Sequence, residues 1–383
     1  MNDLYFPVVY YSSTKNTIHQ VLKQHSTLLI NLQQLIYFNT PIMPARISVI
    51  ICCFNSATRI TPTLEHLAKQ KNIPLSNWEV ILVDNSSTDN TAVKAQSVWN
   101  SFEAEKPSFR IVSELTPGLS AARKKGITAS LFEYVLFCDD DNWLDENYLN
   151  IALRIMQLNP QIGALGGTGY PVFEGEEPPY FWVNQFHALA VGNQSKIDGD
   201  ITDERGVLYG AGMVLNKAAY GELKEKYQFN FILTGRIGNN LVSSEDHELC
   251  LALKKIGYRI FYSQSLKFQH YIPKNRTTID YYKKLFFGFG KSYASLHVYR
   301  VNSKNLHSLK KNYKYICLRS IKNIISTLII LFLKGYPFKK NKYQYLAELH
   351  RLYNNIGILN IFARDKNLFK KQYSNNILFS KNS

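Results

Sequence analysis

Short apolar-rich runs at Ile47–Cys53, Trp78–Val83, Phe109–Ser113 and Tyr134–Cys138 alternate with stretches of helical character at Thr61–Gln70, Ala92–Phe102 and Leu119–Ser130. The first run is a continuous β-branched segment that reads as a buried strand, and Pro62 suits the first turn of the first helix. Strands separated by helical stretches of about 10 to 15 residues predict parallel β-α-β units with helices on both faces of an open sheet. Such sheets bind ligands beyond the carboxyl ends of their strands. Two acidic clusters, at Asp84 and at Asp139–Asp141, lie at predicted strand ends of this kind.

Composition agrees with a packed domain. The 383 residues are 45% hydrophobic and 19% charged, which excludes a disordered chain and leaves room for a core plus an additional element. The five cysteines are odd in number and lack metal-type spacing, so reduced cysteines in a cytosolic protein are expected; adjacent Cys52 and Cys53 should face opposite sides of their strand. No signal-type start is apparent. The longest apolar run, Ile324–Leu333, contains Ser326 and Thr327 and falls short of the roughly 20 uninterrupted apolar residues of a spanning helix.

Charge is divided unevenly. Residues 1–270 hold 23 Lys and Arg against 26 Asp and Glu, a balance of −3, whereas residues 271–383 hold 22 against 3, a balance of +19. Three regions follow: a leader at 1–44 whose structure the pattern does not define, an α/β domain at 45–272, and a basic, aromatic-rich, mostly helical region at 273–383. Lysines interleaved with aromatic rings around a long apolar run fit an anionic membrane surface, with a solvated or self-packed helical region as the alternative. No nucleic-acid-binding module accompanies these charges, so a nucleic-acid partner is not expected.

Three segments carry the chemistry. In Phe137-Cys138-Asp139-Asp140-Asp141-Asn142-Trp143 the neighbouring carboxylates repel by roughly 1–4 kcal/mol per close pair. A divalent cation would offset this, and oxygen ligands favour Mg²⁺ or Mn²⁺. The alternative is capping, with Asp141 or Asn142 at the start of a helix Leu144–Leu153. In Val83–Thr91, Asp84 could accept hydrogen bonds from a nucleobase or ribose, or could close a turn before the next helix. In Glu114–Gly126, Arg123 follows a Pro117-Gly118 turn and could face a diphosphate, or be an ordinary solvated helix residue.

Six segments in order resemble family 2 glycosyltransferases, which use nucleotide sugars and have the fold called GT-A: Ile47–Asn55, Val83–Thr91, Gly118–Gly126, Phe137–Leu144, Tyr209–Lys217 and Ser243–Gly257. The resemblance covers about residues 45–272. It implies that Asp84 contacts the uracil or ribose of a UDP-sugar and that Asp139 and Asp141 are the outer acids of a D-x-D motif, Asp141 being the direct metal ligand. It implies Asp246, beside Glu245 in the substrate site, as general base, and His270 as a further metal or diphosphate contact. Gly210, within Tyr209–Gly212, lets a ligand approach backbone closely. Two departures bear on nucleotide choice: Asn85 stands for a common second Asp and Lys124 for a common Asn. The Q-x-x-R-W motif of processive relatives is absent, which favours one sugar per encounter.

The resemblance thus implies an inverting, Mg²⁺- or Mn²⁺-dependent transferase. It would move a sugar from a nucleotide-diphospho-sugar to a glycan or lipid-linked acceptor in cell-surface polysaccharide synthesis. The basic region adds a peripheral location on the cytoplasmic membrane face. A catalytically silent GT-A-like binding module attached to the membrane is the competing reading. Tyr180 and Trp182 could stack on an acceptor sugar or simply pack.

Overall fold

The computed structural model describes residues 45–175, 182, 185–236, 241–300, 306–334 and 342–364; the leader at 1–44 and Tyr180 lie outside them. Residues 45–383 group as one compact unit. Its first half is the predicted alternation: β1 (Ile47–Cys53), α1 (Ile60–Ala68), β2 (Trp78–Asp84), α2 (Thr91–Ser101), β3 (Ser108–Ser113), α3 (Leu119–Ala129) and β4 (Tyr134–Phe137). After these come β5 (Asn142–Leu144), α4 (Tyr148–Leu158), β6 (Ile162–Phe173), β7 (Gly199–Asp200), β8 (Val214–Asn216), α5 (Lys217–Glu225), α6 (Glu245–Lys255) and β9 (Arg259–Ile272). The basic region forms α7 (Ile279–Arg300), α8 (Leu306–Lys334) and α9 (Lys342–Arg364).

The strands form one mixed sheet of order β3-β2-β1-β4-β8-β6-β9-β5, with β7 pairing β9. β3, β2, β1 and β4 are parallel; β8 is antiparallel to both β4 and β6. Alternation along the strands divides the core between two faces. Val49, Ile51 and Cys53 pack with Leu64 of α1, Trp99 of α2 and Leu149 of α4, whereas Ile50 packs with Ile127 of α3, Leu223 of α5 and Leu253 of α6. Cys52 lies against the second cluster, so the adjacent cysteines do face opposite ways, and all five cysteines are free.

One local reading is corrected. Asn142–Leu144 is strand β5, not the start of a helix, because it pairs antiparallel with Phe268–His270 of β9 and buries Leu144. Trp143 stacks between His66 and Tyr271, at centroid distances of 6.0 and 5.8 Å. The helix begins only at Tyr148, so neither Asp141 nor Asn142 caps it.

The basic region shares the core rather than trailing from it. Leu296 and Tyr299 of α7, Leu309 and Tyr313 of α8 and Ile358 of α9 belong to the same cluster as Ile50 and Leu253. A Cβ on Gly290 of α7 would run into the Asn354 carbonyl of α9, so glycine sets how closely these helices cross. Trp182 is fully buried, donates from Nε1 to the Thr277 carbonyl at 3.0 Å and meets the Tyr282 ring edge-on at 5.4 Å; its role is packing. Within α8, His307–Leu333 is long and apolar enough to cross a membrane by length and composition, and little of its apolar stretch is buried within the fold. The ten-residue apolar run alone did not reveal this, because Arg319, Ser320, Lys322 and Asn323 cut it off from the apolar residues before it without making the whole stretch polar.

Candidate active site

β1 pairs with β2 on one side and β4 on the other, and this reversal of strand order opens a crevice at their carboxyl ends. Cys138 N–H donates to the Ile50 carbonyl at 3.0 Å, so the chain leaves β4 still tied to β1. It then turns on itself: Asn142 N–H donates to the Asp139 carbonyl at 3.0 Å, and Asn142 Oδ1 accepts from Asp139 N–H at 3.2 Å. Each of the three carboxylates meets a different arginine.

Asp140 is buried and bonded to Ser56 Oγ and to Arg59, the latter at 2.7 Å. Burial and the charge of Asp141 raise its pKa against the pull of Arg59. Its carbonyl also accepts from Thr63 Oγ1 at 3.0 Å, which makes Asp140 a brace between the acidic turn and α1. Asp141 faces Arg276 Nη1 at 3.0 Å and His270 Nε2 at 3.4 Å. Burial opposes its charge, but His270 and Arg276 together hold this carboxyl well below the usual range. His270 arrives by strand pairing, since it stands opposite Asn142 in the β5–β9 register. Asp139 is turned toward Arg123, 3.7 Å away. The repulsion expected within the acidic run is therefore offset from inside the protein, by Arg59, Arg123 and Arg276.

Arg123 is no solvated helix residue. Its guanidinium is buried, donates to Glu245 Oε1 at 3.0 Å and lies 4.9 Å from the centre of the Phe137 ring. Burial acts against its charge, yet Glu245, Asp139 and Asp246 keep it firmly protonated. Glu245 is buried too; burial raises its pKa although Arg123 opposes the rise, and its Oε2 has no hydrogen-bond partner. A Cβ on Gly210 would come within 2.7 Å of Arg123 Nη1 and 2.8 Å of Cζ, so only glycine leaves room for this guanidinium. The close approach served by Gly210 is thus that of a side chain of the protein itself.

Helix α6 begins at Glu245 and places Glu245 and Asp246 in its first turn. Asp246 is only partly buried. Its Oδ2 accepts from Gly210 N–H at 2.6 Å and its Oδ1 from His247 N–H at 2.8 Å. Glu248 is structural: its carboxylate accepts from Ile232 N–H, Leu233 N–H and Tyr299 O–H at 2.8, 2.9 and 3.0 Å. Ser244, just before the helix, holds φ at 82°, and Asn55 and Ser86 after β1 and β2 are likewise left-handed. Such backbone persists only where surrounding structure over-determines it, and here it clusters at the sheet's carboxyl edge.

Asp84 ends β2, in register with Cys53 and Ser113, and its Oδ1 accepts from Ser87 N–H at 3.1 Å. The neighbouring Asn85 reaches the crevice instead. Its amide donates to the Glu114 and Thr116 carbonyls at 3.0 and 2.7 Å and accepts from Gly118 N–H at 2.8 Å, which fixes the loop before α3.

These residues enclose a cavity of about 610 Å³. Asp139, Asp141, Asp246, Arg123, Gly210, Glu245 and His270 all line it, and Asp84 does not. The sequence reading missed Arg59, Arg276 and Arg236, which also line it. Arg59 and Arg236 carry no motif, and Arg276 falls beyond the charge boundary, in the region assigned to the membrane. The far wall comes from that region as well, through Phe286 and Phe289 of α7 and His350 and Asn354 of α9.

Among the described residues, no three His, Cys, Asp or Glu side chains gather as a ready-made metal site. Asp141 and His270 do converge, and buried His270 Nδ1 has no partner. The pair fits a divalent cation that takes its remaining ligands from diphosphate oxygens and water. Asp139, turned to Arg123, stands apart from that pair.

A parallel half-sheet ending in acids over a basic-walled crevice defines the class of fold: a mixed α/β sheet of the GT-A type. Residues 48–223 match the model described as glycosyl transferase family 2, so this stretch of the chain is similar to that family. The glucosyl-dolichyl phosphate glucuronosyltransferase of Haloferax volcanii is 23% identical over 256 residues, 66% of this chain and 78% of that protein. The cholesterol galactosyltransferase of Borreliella burgdorferi is 33% identical over 106 residues, 28% of each chain, so this match spans under a third of the relative's length. Among solved structures, the mannosyltransferase PcManGT from Pyrobaculum calidifontis, in complex with GDP-Man and Mn²⁺, has a TM-score of 0.53 at 15% identity, covering 88% of this chain and 95% of that one. That likeness is one of fold.

Proposed function

We propose that this glycosyltransferase moves one sugar per encounter, with inversion, from a nucleotide-diphospho-sugar, taken as a UDP-sugar, to a hydroxyl of a glycan or lipid-linked acceptor. It would act in cell-surface polysaccharide synthesis, peripherally, on the cytoplasmic face of the membrane. The observation that carries the reading is that Asp141 and Asp246, far apart in sequence, line one cavity with cationic walls. The Haloferax relative, named for an acceptor sugar on dolichyl phosphate, supports a lipid-linked acceptor.

The chemistry needs a hydroxyl deprotonated as it attacks and a diphosphate neutralised as it leaves. Asp246 is assigned as general base. Its two bonds to backbone N–H fix its orientation, and a carboxylate with about four lone-pair sites keeps others for an acceptor hydroxyl. Glu245 is excluded from that role because Arg123 holds one oxygen and the other is buried without a partner. Arg123 and Arg276 are assigned as the positive wall of the donor side, Asp139, paired with Arg123, is assigned to donor binding, and Asp84 is assigned to the nucleoside at the margin. Asp141 and His270 would hold Mg²⁺ or Mn²⁺, whose chemistry when bound is to neutralise the leaving diphosphate as a Lewis acid.

Transfer and slow hydrolysis of nucleotide sugars, measured with and without EDTA and in Asp246→Asn, test this. The variant should lose about 10²–10⁴-fold in transfer while keeping donor binding. Activity indifferent to both changes would defeat the assignment and leave a binding module.

A further inference from the structure

Helix α8 is apolar on two sides, and only one of them is used by the fold. Leu309, Tyr313, Ile316, Ser320 and Thr327 are buried against the protein. On the outward side Leu318, Ile321, Ile325, Leu328 and Ile329 are 44–58% exposed and Phe332 is 86% exposed. Steps of three and four residues keep these six on one stripe. Lys310, Lys311 and Lys314 continue the same stripe one to two turns earlier, all exposed, with exposed Arg319 and Lys322 beside it. α8 contains no acidic residue.

We propose that α8 docks along the surface of an anionic bilayer, its apolar stripe at the acyl boundary and its lysine end among lipid phosphates. A contiguous exposed apolar stripe preceded by exposed cations matches an interface that offers hydrocarbon and negative charge together. A second copy of the chain would answer the apolar stripe but would bring the same cations face to face. Spanning the bilayer is opposed by how α8 is held. Thr327 Oγ1 donates to Glu348 at 3.1 Å, Arg351 donates to Asn323 Oδ1 at 2.8 Å, and Asn323 Nδ2 donates to Asn355 Oδ1 at 3.2 Å, all across to α9. A spanning helix would tear these bonds and expose Leu309 and Tyr313. Because α9 also walls the cleft, docking through α8 presents the cavity near the lipid surface, which rests on the lipid-facing reading of the acceptor given above.

Co-sedimentation of the full chain with phosphatidylglycerol-containing and pure phosphatidylcholine vesicles tests the surface. Binding should need the anionic lipid and be reversed by high salt. Leu328→Glu with Phe332→Glu should weaken it at least tenfold, and Lys310→Glu, Lys311→Glu and Lys314→Glu together by about a hundredfold, from the usual worth of a basic residue near such a surface. The variants should keep the thermal stability and the donor hydrolysis of the parent in solution. No binding to anionic vesicles, resistance to carbonate extraction, or a dimer dissociated by Phe332→Glu in a chain that ignores vesicles would overturn it. Vesicle binding in a chain without transferase activity would refute the catalytic reading and support this one.

Discussion

Arg123→Met is the most searching perturbation of the site's electrostatics. In the parent, Arg123 and Glu245 are a buried pair, with side chains 7% and 4% exposed, joined at 3.0 Å. Removing the guanidinium leaves Glu245 with one oxygen unpartnered as before and the other newly so. Breaking one side of such a pair costs about 3–5 kcal/mol, whereas replacing both sides by apolar residues is often neutral. The cost must also depend on pH. Burial already raises the pKa of Glu245, and loss of Arg123 removes the chief opposing influence. A carboxyl whose folded pKa lies above its unfolded value binds more protons when folded, so stability falls as pH rises through the interval between the two. The variant should therefore be least stable near about pH 8 and recover on acidification, by at most about 1.4 kcal/mol per pH unit over that interval. Urea unfolding at about pH 5.5 and about pH 8 reads this directly. Arg123→Met with Glu245→Met should regain most of the loss and show no such dependence. An equal loss at both pH values, or a double variant weaker than the single, would refute the argument.

Two other outcomes follow from single contacts. Gly210→Ala places a methyl against the Arg123 guanidinium and should cost about 1–3 kcal/mol by overpacking, read as a fall in Tm, with a loss of transfer because Gly210 N–H also orients Asp246. His350 is stacked on Phe286 at 3.9 Å, and burial first, then His187, lower its pKa to about 4. The unfolded chain therefore takes the proton first, and stability should decline as pH falls from about 6.5 towards about 4; His350→Phe should flatten that part of the denaturation profile.

Much of the α/β half was legible because its signals are local. β1, β2, β3 and α1 to α3 lie within a residue or two of their predicted ends, since continuous apolar runs and helical periodicity report burial directly. β5 was not legible: Asn142–Leu144 resembles a helix start and becomes a strand only because β9 offers it a partner more than a hundred residues later. The same pairing delivers His270 to Asp141, a meeting that family resemblance indicated and local sequence did not.

What the chain's order of residues determined was the kind of molecule: alternating elements, acids at strand ends, and a cationic region set apart by charge. What only tertiary structure decided was who neutralises those acids and where the cationic region goes. Arg59, Arg123 and Arg276 each claim one carboxylate of the run. The basic region, which composition set aside as a separate surface element, contributes Arg276, Phe286 and His350 to the cavity itself. The physical reason is that charge and hydropathy are summed along the chain, whereas ion pairing and burial depend on distance in space, which sequence separation does not record.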